Sequence, residues 1–155
     1  MGIIYSALNF YRTQATATPR KETTPFDVKL LMLKIVKELT LYRNKKNYSK
    51  NVQIQNVLSY LRQNNLNLAS VKMETVISDE NYIEVCTHLI ASASLLHEKY
   101  MLISSNAECP KEVEKPLQNL IFASQYLPIE DAGNFRELMK YKFGSAFVES
   151  ALVYN

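Results

Sequence analysis

FDVKLLMLKIVKELTLYRNKKNYSKNVQIQNVLSYLRQNNLNLASVKMETVISDENYIEVCTHLIASASLLHEKYMLISSNAEC, residues 26–109 of the chain, contains neither glycine nor proline. A segment of this length without a helix breaker, and too polar to cross a bilayer, is predicted to form two long antiparallel helices. The reversal is predicted at Asn64-Asn65-Leu66-Asn67, because asparagine adopts the left-handed conformation more readily than most residues. The arms would contain about 38 and about 36 residues and measure about 55 Å each. Hairpins of this length are typical of scaffolds and polymer subunits rather than catalysts.

Both arms are amphipathic, with apolar residues at spacings of three and four. The first arm has one such stripe, formed by Val28, Leu31, Ile35, Leu39 and Tyr42. The second arm has two: the first contains Tyr82, Cys86, Leu89, Ala93, Leu96, Tyr100 and Ile103, and the second contains Val76, Ile83 and Ile90. A helix with two apolar faces needs two neighbours, so we expect shorter helices to cover the second face.

The C-terminal part is predicted to supply those shorter helices. Pro116 fits a first helical turn, Pro128 ends that segment, Asp131 fits the cap of the next helix, and Gly144 marks its end or a bend. The fold class is therefore all-α, a long antiparallel hairpin with about three shorter C-terminal helices packed on it. We expect residues 1–25 to be a flexible leader and residues 26–155 to form one helical domain.

Charge is distributed unevenly along the chain, although the net charge is only +3. Residues 26–63 contain eight Lys or Arg against two acids, whereas residues 64–155 contain seven against twelve. Lys34, Lys37 and Lys45 are predicted to lie opposite the apolar stripe of the first arm, where they would contact an anionic membrane or the acidic face of a like subunit. A solvated helix face is the simpler alternative. No nucleic-acid-binding module accompanies these charges, so nucleic acid is not expected as a partner.

The sequence gives no indication of an enzyme, a metal site or a cofactor. The three glycines are far apart and form no phosphate-binding loop, and the two histidines lie on opposite sides of one predicted helix. Cys86 belongs to the core stripe, and Cys109 has no neighbouring histidine. An N-terminus without a basic region before its apolar residues argues against a signal peptide and for a cytoplasmic location.

The N-terminal Met1-Gly2-Ile3-Ile4-Tyr5-Ser6 fits the pattern for myristoylation of Gly2. One myristoyl chain binds membranes only marginally, so basic residues would have to supply a second membrane contact. The alternative is an unmodified leader whose apolar residues contact lipid or the core.

Three segments together resemble the increased sodium tolerance (Ist) family. They are residues 72–81 (KMETVISDEN), residues 120–124 (LIFAS) and residues 138–147 (LMKYKFGSAF), which follow a basic first arm that begins with a phenylalanine. Their order and spacing, over residues 26 to about 153, make the resemblance specific.

The resemblance implies an ESCRT-III-like fold and a non-enzymatic role in multivesicular body sorting, peripheral to the endosomal membrane. Family members bind the C-terminal helix of a late-acting ESCRT-III subunit and modulate the AAA ATPase that disassembles the polymer. Phe147 matches the family's closing aromatic, so Phe143, Phe147 and Ala151 are the predicted partner-binding residues, in a groove between the second arm and the terminal helix. Ser150 departs from the family, which often has a larger apolar residue there.

Family members usually have a long tail that docks the MIT domain of the ATPase. Since the chain stops at Asn155, we expect any effect on the ATPase to be indirect; either the tail was removed or the globular domain acts alone. The alternative function is a membrane-surface scaffold or adaptor that has kept the fold without ESCRT-III regulation.

Overall fold

The computed structural model describes residues 24–153. Six helices follow one another in this part of the chain: α1 Pro25–Arg62, α2 Leu66–Glu98, α3 Tyr100–Ser105, α4 Lys111–Ala123, α5 Ala132–Phe143 and α6 Ser145–Leu152. The described residues contain no strand, and the all-α prediction is confirmed. The predicted myristoylation site, Gly2, and nearly all of the predicted leader lie outside the described residues.

Helices α1 and α2 form the predicted hairpin. The side chain of Thr24 caps the backbone N–H of Asp27, whose carboxylate accepts from the backbone N–H of Thr24, and Pro25 occupies the first turn. At the far end Asn64 adopts a positive φ of 56°, and the side chain of Asn65 caps α2 by accepting from the N–H of Leu68. The reversal is therefore where the asparagine cluster predicted it.

The second arm is shorter than expected. Helix α2 ends at Glu98, and Lys99 separates it from the six-residue helix α3, whereas the sequence predicted one continuous arm. The Nζ of Lys99 donates to the carboxylate of Glu112 at 2.5 Å, which ties this junction to the start of α4. The arm thus bends where its end meets the C-terminal helices.

Helix α4 begins five residues before the predicted position. Pro116 lies inside the helix rather than at its first turn, and Pro110 is the N-cap. Glu112 and Glu114 stand in the first turn, where negative charge is favourable because of the helix dipole. Pro116, inside the helix, has no N–H and so removes one of its backbone hydrogen bonds.

The core lies in the half of the hairpin that is distant from the reversal, where the shorter helices pack on it. Helix α4 packs along α2, and α6 packs against both α4 and α5. The largest fully buried side chains are Met32, Ile35 and Leu39 of α1, Leu96 of α2, Ile103 of α3, Val113, Leu117, Leu120 and Ile121 of α4, Phe135 and Met139 of α5, and Val148 of α6. Within residues 24–153, no helix is long and apolar enough to span a membrane.

Polar contacts hold the segment between α4 and α5 against α1. The carboxylate of Glu38 accepts from the backbone N–H of Glu130 at 3.0 Å, and Lys34 pairs with Asp131 at 3.4 Å. At the other end of α5, the Nζ of Lys142 donates to the carbonyl of Ser104 at 2.5 Å. Helix α5 is therefore anchored at both of its ends.

Candidate partner-binding groove

Helix α4 forms the floor of a groove whose walls are α2 and α6. It packs against both of these helices, which make little direct contact with each other. At the C-terminal end of α4, Phe122 is half-buried, and Tyr126, in the turn that follows the helix, is 67% exposed. Their ring centroids are 5.2 Å apart. The floor is thus partly aromatic, which suits an apolar ligand surface.

The α6 wall is set by a sharp break after α5. Gly144 has a φ of 89°, a conformation that side chains disfavour, and its N–H donates to the carbonyl of Lys140. Near the other end of α6, the side-chain amide of Gln125 donates to the carbonyl of Leu152 at 3.1 Å. These contacts fix α6 beside the C-terminal end of α4.

The three predicted partner-binding residues are placed differently. Phe143 and Phe147 are half-buried and pack edge to face, with ring centroids 5.6 Å apart. Ala151 is fully buried in the core beside Val148. Phe143 and Phe147 are therefore partly accessible, whereas Ala151 packs in the core beneath α6.

The α2 wall carries an apolar stripe that is open to solvent. Val71, Tyr82 and Val85 are at least one-third exposed, and Thr75 and Ser78 complete steps of four and three between them. The same spacing continues into Leu89, which is buried where α4 packs on α2. The open stripe therefore extends the face of α2 on which α4 packs, beyond the point where α4 ends.

Carboxylates dominate the exposed polar side of α2. Glu74, Glu80 and Glu84 are exposed, and of these Glu80 pairs with Lys50 of α1 at 2.6 Å. Glu84 lies 4.0 Å from His88, one turn along the helix. Of these three acids only Glu74 lies three or four residues from members of the open stripe, so it is the one that a basic residue of a docked amphipathic helix could reach.

A family model described as "Ist1: Regulator of Vps4 activity in the MVB pathway" matches residues 29–154. The chain belongs to the Ist1 family. The match covers all the helices that build the groove.

Two relatives of this Ist1-family chain are informative. An IST1-like protein of Dictyostelium discoideum is 27% identical over 126 residues, which cover 81% of this chain and 34% of that protein. The chain thus spans about a third of the length of the curated relative. The solved N-terminal domain of S. cerevisiae Ist1, in complex with the Did2 MIM motif, matches with a TM-score of 0.78 and 18% identity over 83% of this chain and 73% of that one. This similarity shows a shared fold.

Sequence reasoning missed part of the groove of this Ist1-family chain. Phe122, near the end of α4, and Tyr126, in the turn after it, were not predicted as contacts. Val85 was also missed, and Tyr82, which was assigned to the core stripe, is 37% exposed. The sequence does contain a pattern for this open stripe, since the residues from Val71 to Leu89 recur at steps of four and three. The buried stripes of α2 have the same spacing, so spacing alone does not distinguish an open stripe from a buried one.

The predicted lysines of α1 do not act alike. Lys34 is committed to Asp131, whereas Lys37 and Lys45 are exposed and make no ion pair with any residue in 24–153. The same outer side of α1 exposes large apolar residues, at intervals of three, eight, seven and four residues, that the sequence analysis did not single out: Leu30, Leu33, Leu41, Tyr48 and Val52. This outer face combines exposed apolar and basic side chains.

Neither thiol offers reactive chemistry in this Ist1-family chain. Burial raises the pKa of Cys86, and burial together with the nearby Glu114 raises the pKa of Cys109 to about 11. Both side chains are therefore protonated at neutral pH. No group of three or more His, Cys, Asp or Glu residues in the described part of the chain could hold a metal ion.

Proposed function

We propose that this chain is a non-enzymatic regulator that binds an amphipathic helix of a late-acting ESCRT-III subunit in the groove between α2 and α6. Through that subunit it would modulate the Vps4 ATPase in multivesicular body sorting, at the cytoplasmic side of the endosomal membrane. The proposal is supported by family membership and by the Did2 MIM motif bound to the solved relative.

The observation that carries the proposal is the groove itself. Partly accessible aromatic rings lie at the C-terminal end of α4 and on α6, α2 carries an open apolar stripe, and Glu74 lies three residues from Val71 and four from Ser78 of that stripe. A helix docked there would place side chains at i, i+3, i+4 and i+7 on the apolar surface. A basic residue of the docked helix would lie near Glu74, so binding should weaken as salt concentration rises.

The test is the affinity of the full chain for a peptide carrying the Did2 MIM motif, measured by calorimetry. The variant Val85→Asp places a charge on the open stripe, where a docked helix would bury it without a partner. We expect binding at least about tenfold weaker, equivalent to about 1.4 kcal/mol. Val52→Asp is the matched control, because Val52 is 39% exposed, comparable to the 46% of Val85, but lies on the outer face of α1.

Val52→Asp should bind within about twofold of the unchanged chain. Equal weakening by both variants would indicate a general effect on the fold and would contradict the groove. If the peptide does not bind the unchanged chain, the proposed partner is wrong.

A second candidate function is attachment to an anionic membrane through the outer face of α1. The exposed leucines at 30, 33 and 41 lie beside lysines that no carboxylate neutralises within residues 24–153, a combination typical of helices that lie on lipid surfaces. Lys34 is not counted among these lysines, because its ammonium group pairs with the carboxylate of Asp131.

The membrane prediction is tested with phosphatidylcholine vesicles containing about one-third phosphatidylserine. The double variant Lys37→Glu/Lys45→Glu should bind them at least about thirtyfold less tightly, a loss of about 2 kcal/mol. Lys111→Glu/Lys115→Glu changes the net charge equally at two exposed lysines of α4 and should have a smaller effect. If the two double variants sediment alike, net charge rather than the α1 face controls binding.

A further inference from the structure

The hairpin is packed very unevenly along its length. The last fully buried side chain of α1 is Leu39, and none of residues 40–62 is fully buried. Facing them, α2 has only Ala69, Val76 and Asp79 buried before Cys86. The part of the hairpin that includes the reversal, residues 44–80, therefore buries little apolar surface, and regions of this kind open locally at low free-energy cost.

An ion pair between a buried carboxylate and a partly buried lysine lies at the boundary between this distal part and the core. The Nζ of Lys46 donates to Oδ1 of Asp79 at 2.9 Å, and the Asp79 side chain is only 3% exposed. The same ammonium lies 4.6 Å from the ring centroid of Tyr82 and 5.8 Å from that of Tyr42. The two rings pack edge to face at 6.1 Å, so the pair is enclosed by one tyrosine from each arm.

Asp79 is held in its charged form at this position. Burial by itself raises the pKa of the carboxyl, but hydrogen bonding from Ser49 and Lys46, with the charge of Lys46, lowers the pKa below its ordinary value. Within the described residues, Oδ2 makes no hydrogen bond that meets the usual distance and angle limits, and the ion pair of Oδ1 is with Lys46. Because the folded pKa is depressed, the stabilisation is present at neutral pH and is lost only as the pH falls through that depressed value.

We propose that the Lys46–Asp79 pair is a clasp that keeps the distal part of the hairpin closed, so that breaking it opens residues 44–80 while the remainder stays folded. A charge buried without its partner is strongly unfavourable, and few apolar contacts beyond the pair oppose separation of the arms. The neighbouring Lys50–Glu80 pair cannot substitute, because Glu80 is 58% exposed and water screens the interaction.

The experiment is hydrogen exchange of the full chain, followed by mass spectrometry of peptides from residues 44–80 and from residues 86–98. In the unchanged chain the distal amides should exchange at least about tenfold faster than those of the core part of α2. Asp79→Asn and Lys46→Met should each accelerate distal exchange about tenfold further and leave residues 86–98 unchanged. The controls Glu80→Gln and Lys50→Met make the same changes at the exposed pair and should alter exchange by less than about twofold.

Two results would overturn the clasp. One is distal exchange within about twofold of the unchanged chain in either clasp variant. The other is equal acceleration of the distal and core peptides, because the pair would then stabilise the whole domain rather than one part of it.

Discussion

Phe135→Ala is expected to lower the free energy of unfolding by about 3–5 kcal/mol. Phe135 is 1% exposed and is the largest of the fully buried side chains. It lies on α5, whose two ends are tied to α1 and α3 by Glu38, Lys34 and Lys142. Those anchors prevent the helix from moving inward to fill the space that the ring leaves. The measurement is urea unfolding followed by circular dichroism.

Tyr141→Ala is the matched control for this loss. It removes an aromatic ring of similar size from the same helix, but Tyr141 is 54% exposed. We expect a loss below about 1 kcal/mol. Comparable losses for the two variants would contradict the assignment of Phe135 to the centre of the core.

Phe147→Ala is expected to weaken binding of the Did2 MIM peptide about thirtyfold, a loss of about 2 kcal/mol. The ring is half-buried against Phe143 and stands on the α6 wall of the proposed groove. An aromatic anchor at the centre of a helix-binding groove typically contributes more than the residues around it. Affinity should be measured by calorimetry at fixed salt, because the acidic α2 wall makes binding salt-dependent.

The control for Phe147→Ala is Phe26→Ala, since Phe26 is 68% exposed at the start of α1. It should bind the peptide as the unchanged chain does. Circular dichroism separates the two roles of Phe147: lost helicity would place the ring in the core, and retained helicity with normal binding would place the site elsewhere.

The hairpin was predictable because its signals are local. An unbroken run free of glycine and proline, followed by asparagines that tolerate a positive φ, requires no knowledge of distant residues. The same holds for Gly144, whose φ of 89° ends α5 where the sequence indicated.

The start of α4 and the break at Lys99 were not predictable in the same way. The Lys99–Glu112 contact joins these two places, which are 13 positions apart in sequence. Proline favours the first turn of a helix, so Pro116 predicts a helix start at that position. In the structure Pro110 is the N-cap and two acids follow it, so the first turn lies earlier.

The candidate site was predictable only in part. Phe143 and Phe147 followed from the family resemblance, and both are accessible in the fold. The burial of Ala151 and the exposure of Val85 depend on how far α4 and α6 extend along α2, which spacing alone does not reveal. Likewise, Lys34 could be distinguished from Lys37 only once Asp131 was placed beside α1.

The contact between Glu38 and Glu130 has a consequence for the order of folding. The two residues are separated by 92 positions in sequence, and the neighbouring Lys34–Asp131 pair closes a still longer loop. Such closure costs chain entropy that the hairpin, with its reversal at Asn64, does not incur. During synthesis α1 and α2 are complete before Glu130 leaves the ribosome, and we expect the newborn hairpin to carry an uncovered apolar face until the last helices arrive.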